Sequence, residues 1–240
     1  MPIFERAGTS LYYEEFGSGY PLLLFAPGGM RSGIEFWHKS PFDPTREFAA
    51  NFRVIAMDQR NAGRSHGPVS ATDGWHTYAS DHLALLDHLG IKRCHTMGGC
   101  IGSTYCLNLI KAAPERVSAA VLQNPIGLHE NREAFREMFN GWAKELQRND
   151  ARLTDAALAS FREQMYGSDF VFGVTRDFVR SCTTPLLVLA GDDLYHPAPI
   201  SREIATLAPK AELVEHWKTP DTVNAAVARV RDFLTKHQGA

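Results

Sequence analysis

The sequence predicts an α/β fold: a mostly parallel twisted sheet with helices on both faces and a small helical cap. Three observations predict it. Short apolar runs, rich in Leu or β-branched residues and bounded by Gly, Pro or Asp, recur along the chain, as strands buried on both faces require. Between them lie segments with apolar residues three and four apart, the period of a helix packed along one stripe. One stretch, residues 125–181, breaks the alternation and carries only helical patterns.

The chain opens with Phe4–Arg6 and Leu11–Phe16, which read as a hairpin closed off by Gly17-Ser18-Gly19. The strands expected after it are Leu22–Phe25, Val54–Met57, Cys94–Met97, Ala119–Gln123, Pro185–Ala190 and Glu212–Glu215. A helix over Thr77–Leu89 follows from the stripe Tyr78, His82, Leu85, Leu86 and Leu89, with Gly90 as its C-cap. The last helix shows Val223, Val227, Val230 and Leu234 on one face, with Thr219 as N-cap and Pro220 at its first position. Residues 125–181 hold Phe135, Phe139, Trp142, Phe161, Tyr166, Phe170, Phe172 and Phe178. They read as a cap inserted into a core of residues 1–124 and 182–240, with ordinary core packing as the plain alternative for any one aromatic.

The chain has 240 residues, 44% hydrophobic and 22% charged, which fits one domain with or without a cap and excludes a disordered chain. Lys plus Arg number 25 against 27 Asp plus Glu, so no basic face for nucleic acid or an anionic membrane is indicated. No secretory h-region or run of about 20 apolar residues is visible, and the four cysteines form no CxxC pair. A cytoplasmic protein with reduced thiols is the expectation. There is no HExxH, P-loop or GxGxxG, so no metal or cofactor is expected; Asp192-Asp193 with His196 lacks further ligands. The oligomeric state is open, and a homo-oligomer is compatible with the sequence.

The informative segment is His95-Thr96-Met97-Gly98-Gly99-Cys100-Ile101-Gly102-Ser103, after a strand and leading into a helix over Ser103–Lys111. Small residues stand two before and two after Cys100. A nucleophile on a sharp strand-to-helix turn takes a strained backbone, and side chains at those two positions would collide with it. The turn also sets Cys100 at a helix N-terminus, where partial positive charge favours a thiolate.

On these residues the chain resembles the α/β-hydrolase superfamily. Ala26-Pro27-Gly28-Gly29 sits where that family has its first oxyanion loop. Asp58-Gln59-Arg60-Asn61-Ala62-Gly63-Arg64-Ser65 is similar to its D-x-R-G-x-G-x-S turn, with Asn61 in place of Gly. The elbow, the cap and a strand ending in Gly191-Asp192-Asp193 follow in the family's order. Cys replaces the usual Ser, as in the related dienelactone hydrolases, and a thiolate needs less help from a base than a hydroxyl does. The alternative is a Cys tolerated in a turn whose chemistry has been lost.

The resemblance implies an acid and a base, and here the sequence departs from it. The family's usual acid position holds Leu194, with Asp192 and Asp193 one or two residues early, and the loop that carries the family's base His is nearly absent. His82, on an apolar stripe, and His95, in a strand, read as buried structural histidines. His196 is the best remaining base, with Asp193 orienting it, in a loop at the carboxyl end of the sheet where open α/β folds keep their sites. His216 is the alternative base. Backbone N–H groups of Gly29 and Ile101 are the expected oxyanion donors. The function expected is hydrolysis of a small ester, lactone, thioester or C–C diketone, its substrate apolar or aromatic. A non-hydrolytic lyase, isomerase or cofactor-free oxygenase on the same fold, or a small-molecule binding protein, are the other readings.

Overall fold

The computed structural model describes residues 2–238. Its hairpin joins β1 (Ile3–Arg6) to β2 (Thr9–Phe16) through Ala7 and Gly8, at φ 47° and 78°, a two-residue turn with the twist that antiparallel strands need. The remaining strands are β3 (Tyr20–Phe25), β4 (Phe52–Met57), β5 (Cys94–Gly99), β6 (Val117–Gln123), β7 (Leu186–Leu189) and β8 (Ala211–Val214). They form one sheet in the order β1-β2-β4-β3-β5-β6-β7-β8. β1, β2 and β4 pair antiparallel in turn, and every pairing from β4 through β8 is parallel.

Alternation along the strands sorts the core into two layers. Leu23, Phe25, Ile55 and Met57 face the layer of α2 (Trp75–His88) and α3 (Ile101–Ala112). Their neighbours Leu22, Leu24, Val54 and Ala56 face the opposite layer, which contains Trp37, Phe48 and the inner face of α8 (Val223–Lys236). Both faces of each central strand are thus dry, which is why these strands read as continuous apolar runs. Every residue of α3 from Ile101 to Ile110 is buried, so this helix forms the centre of its layer.

The short α1 (Pro44–Glu47) precedes β4, and α7 (Ala198–Leu207) joins β7 to β8. Between β6 and β7 there are three helices and no strand: α4 (Arg132–Asn149), α5 (Asp155–Tyr166) and α6 (Arg176–Ser181). Of the aromatics in this stretch, Phe139, Trp142 and Phe161 pack edge to face on one another as core, whereas Phe135 and Tyr166 reach a cavity. Among the described residues no helix is long and apolar enough to cross a membrane.

Several element ends lie one or two residues from expectation, as at α2, which begins at Trp75 rather than Thr77, and two further helix starts have a visible local cause. The last regular helix begins at Val223, not at Pro220: the Thr219 carbonyl accepts from the N–H of both Thr222 and Val223, closing a separate turn in front of it. The helix after the elbow begins at Ile101, two residues earlier than expected, directly behind Cys100. Gly90 takes the left-handed conformation expected of a helix stop, with φ 67°, and Ile91 N–H donates back to the Leu86 carbonyl.

Candidate active site

The parallel order reverses around β3: the chain steps from β3 to β4 on one side and returns to β5 on the other. Loops leaving β3 and β5 therefore diverge at their carboxyl ends and open a crevice. The loop after β3 brings Gly28 and Gly29, and the loop after β5 brings Cys100.

Cys100 has φ 56° and ψ −119°, a strained conformation for a residue with a side chain. The surrounding structure enforces it. A Cβ at Gly98 would overlap the Gly102 carbonyl, and one at Gly102 would overlap the Phe25 carbonyl of β3. Cys100 N–H donates to the Gln123 carbonyl at 2.9 Å, tying the elbow to β6, and Ser103 Oγ donates to the Cys100 carbonyl at 2.6 Å. Asp58, just past β4, ties two loops together: its carboxylate accepts from Ile34 N–H at 2.7 Å and from Arg64 N–H at 2.8 Å. Asn61 supplies the left-handed conformation, φ 60°, where the resembled turn has Gly.

The loop after β7 brings His196 to the thiol. A Cβ at Gly191 would overlap the His196 carbonyl, so this fold-back requires a residue without a side chain. His196 Nδ1 lies 2.8 and 2.9 Å from the two Asp193 carboxylate oxygens, which can only accept, so Nδ1–H donates. Asp193 also accepts from the N–H of Tyr195 and of His196, at 3.0 and 3.1 Å. Asp193 and His196 thus share one tight turn. His196 Nε2 is buried and makes no well-formed hydrogen bond; Cys100 is the group to which it is electrostatically coupled.

Burial by itself would raise the Cys100 thiol. The charge of His196, with backbone groups at Ile101 and Gly28, overcomes it and holds the thiol below its ordinary value. Burial by itself would lower His196. Cys100, then Asp193, reverse that and push it up to about 9. Burial acts to raise Asp193 as well, but the hydrogen bond and charge of His196 hold it low. The arrangement favours a thiolate beside an imidazolium. Among the described residues no group of three or more His, Cys, Asp or Glu is arranged so that it could hold a metal ion.

The structure brings Cys100, His196 and Asp193 together, and Ile101 and Gly29 line the same cavity. Gly28, not expected, is the loop residue whose backbone meets the sulfur. His216 is exposed behind β8 and lines no wall of the cavity. Asp192 pairs with Lys218 at the surface instead of with a histidine. His82 bonds Gln59 Oε1 at 2.7 Å in the core, and His95 bonds Ser118 at 2.8 Å.

Two chambers meet at Cys100 and His196. The first, about 310 Å³, is walled by Ile126, Phe135, Met138 and Tyr166, with the half-exposed Tyr195 at its rim. The second, about 250 Å³, mixes apolar walls, Pro27, Phe36 and Pro41, with the polar side chains of Lys39, Ser40, Gln123 and Asn124. Neither Gln123 nor Asn124 was expected at the site. Their position, two polar residues where a parallel strand ends, is a signal that could have found them. A larger groove of about 680 Å³ lies between β1 and α2, away from the elbow, with Phe4, Arg6 and His88 in its walls.

This crevice and elbow are those of an α/β-hydrolase, and the chain matches the family model described as alpha/beta hydrolase fold over residues 21–212; it belongs to that family. Among curated relatives, it is 36% identical over 127 residues to "Putative carbamate hydrolase RutD" of Azorhizobium caulinodans, covering 52% of this chain and 44% of that one. A protein of the same name from Pseudomonas syringae is 28% identical over 223 residues, covering 81% and 84%. Among solved structures, the enol-lactonase from Burkholderia xenovorans LB400 superposes with a TM-score of 0.70 at 21% identity, covering 98% of this chain and all of that one, which shows the shared fold.

Proposed function

We propose that this protein hydrolyses an acyl bond, in a small ester, thioester or lactone with an apolar arm, through Cys100 as nucleophile. The observation that carries the reading is the pairing of a lowered thiol with a raised imidazole whose Nδ1–H is held by Asp193 and whose Nε2 is left for the reaction. The Cys100 thiolate attacks the carbonyl carbon, and backbone N–H groups of Ile101 and of the Gly28-Gly29 loop take the developing oxyanion. His196 gives its Nε2 proton to the leaving oxygen or sulfur, which departs and leaves an acyl-thioenzyme. Neutral His196 then removes a proton from water, the hydroxide adds to the acyl carbon, and the thiolate is expelled.

Helices of residues 125–181 act in this reading as the cap that supplies the apolar chamber, over a core of 1–124 and 182–240. The carbamate-hydrolase and enol-lactonase names of the relatives support chemistry at an acyl carbon. The test is rapid-quench intact-mass analysis with p-nitrophenyl hexanoate. A transient adduct of one hexanoyl group on Cys100, absent in Cys100→Ala, is expected. Turnover that persists in Cys100→Ala would sink the mechanism.

A further inference from the structure

Tyr166 ends α5, and its side chain is 1% exposed. Its hydroxyl is buried and has no hydrogen-bond partner in the protein. Proteins rarely leave a buried hydroxyl unpaired, because it has given up its water for nothing. Tyr105 Oη is also unpartnered, but Tyr105 lines neither chamber, whereas Tyr166 lines the apolar one together with Cys100 and His196.

The hydroxyl is held in place. The Tyr166 ring stacks on Phe135 with centroids 5.3 Å apart and meets Phe172 edge-on at 5.1 Å. Arg132 Nη1 donates to the Tyr166 carbonyl at 2.5 Å, and Trp75 Nε1 donates to the Met165 carbonyl at 2.8 Å, so the end of α5 is pinned from two directions. Burial, with the charges of Tyr78 and Cys100 behind it, keeps the phenol protonated, able both to donate and to accept. The other walls deeper than the reacting pair, Ile126, Phe135 and Met138, offer no hydrogen bond and no charge.

We propose that Tyr166 reads the substrate: its hydroxyl hydrogen-bonds an uncharged oxygen function, a ketone or hydroxyl, on the apolar arm of the molecule whose acyl bond lies at Cys100. The placement of that bond rests on the proposed function. The absence of any compensating charge deep in the chamber is what selects an uncharged group over a carboxylate or ammonium.

The test compares p-nitrophenyl hexanoate with its 4-oxo and 5-oxo analogues in the wild type and in Tyr166→Phe. At least one oxo ester is expected to exceed hexanoate in kcat/KM by about tenfold in the wild type, and the ratio to fall to near one in the variant. The melting temperature of the variant is expected to equal or exceed that of the wild type, since the lost hydroxyl bonds nothing in the free protein. No oxo preference in the wild type, or the same preference in both proteins, overturns the proposal. Binding of the corresponding hexanamides to Cys100→Ala and to Cys100→Ala/Tyr166→Phe, followed by thermal shift, separates it from the fate of the nucleophile. An oxo preference in the first protein that vanishes in the second sustains the role of Tyr166 even if no acyl-enzyme is trapped.

Discussion

The protein contains two sets of buried thiols and imidazoles, and they behave in opposite ways. In the sheet and the helix behind it, burial pushes Cys94 and Cys106 up to about 12. The same cause pulls His82 down to about 3 and His95 down to about 4. These groups are neutral and serve as packing. At the crevice Cys100 is lowered and His196 is raised to about 9, although burial opposes both. Dehydration acts alike on all of them; what differs is that Cys100 and His196 face each other and an acid holds the imidazole's far nitrogen. A buried ionisable residue becomes reactive only where another group answers its charge.

The comparison can be broken in several ways. Replacing Cys100 by Ala removes the thiolate and should lower kcat/KM for p-nitrophenyl hexanoate by at least about 1,000-fold. His196→Ala should cost roughly 100- to 10,000-fold through the lost proton transfer. In that variant the pH midpoint for alkylation of Cys100 by iodoacetamide should move upward, because the charge that opposed burial has gone. An unmoved midpoint would mean that the elbow alone lowers the thiol.

The pH dependence of the wild type follows from the same pair. Activity should rise as Cys100 loses its proton, below the ordinary thiol range, and fall as pH climbs through about 9, where His196 loses the proton it must give to the leaving group. The two limbs belong to the coupled pair. Asp193→Asn, which keeps the shape but removes the charge behind Nδ1, should move the alkaline limb downward and reduce kcat/KM by roughly tenfold or more. The smallest effect belongs to the contrasting set. Cys94 and Cys106 should resist alkylation at any pH at which the protein stays folded, and peptide mapping of the same samples reads this directly.

Much of this site was legible because the elbow is a local device. Gly98 and Gly102 are demanded by contacts within a few residues and with the neighbouring strand, so G-x-C-x-G carries its own geometry. Asp193 and His196 were legible for a similar reason, being three residues apart in one turn. The glycine loop after β3 was legible as a segment; that the Gly28 backbone is the part of it that meets the sulfur was not, since one residue of register is beyond a motif. Tyr166 stood among eight aromatics of similar spacing, and only the packing of α4 against α5 separates those that fill the core from the two that face the cavity.

By itself the sequence determined the α/β order of elements, the two-faced core and the strained turn at Cys100, because the first two follow from periodicity and the third is marked by the small residues two positions to either side. The tertiary structure decided which histidine meets the thiol, that His216 is left outside, that Gln123 and Asn124 line a second chamber, and that the Tyr166 hydroxyl waits without a partner. Those relations join residues tens of positions apart, from 28 to 196, and the electrostatics that matter depend on distances that only the folded chain sets.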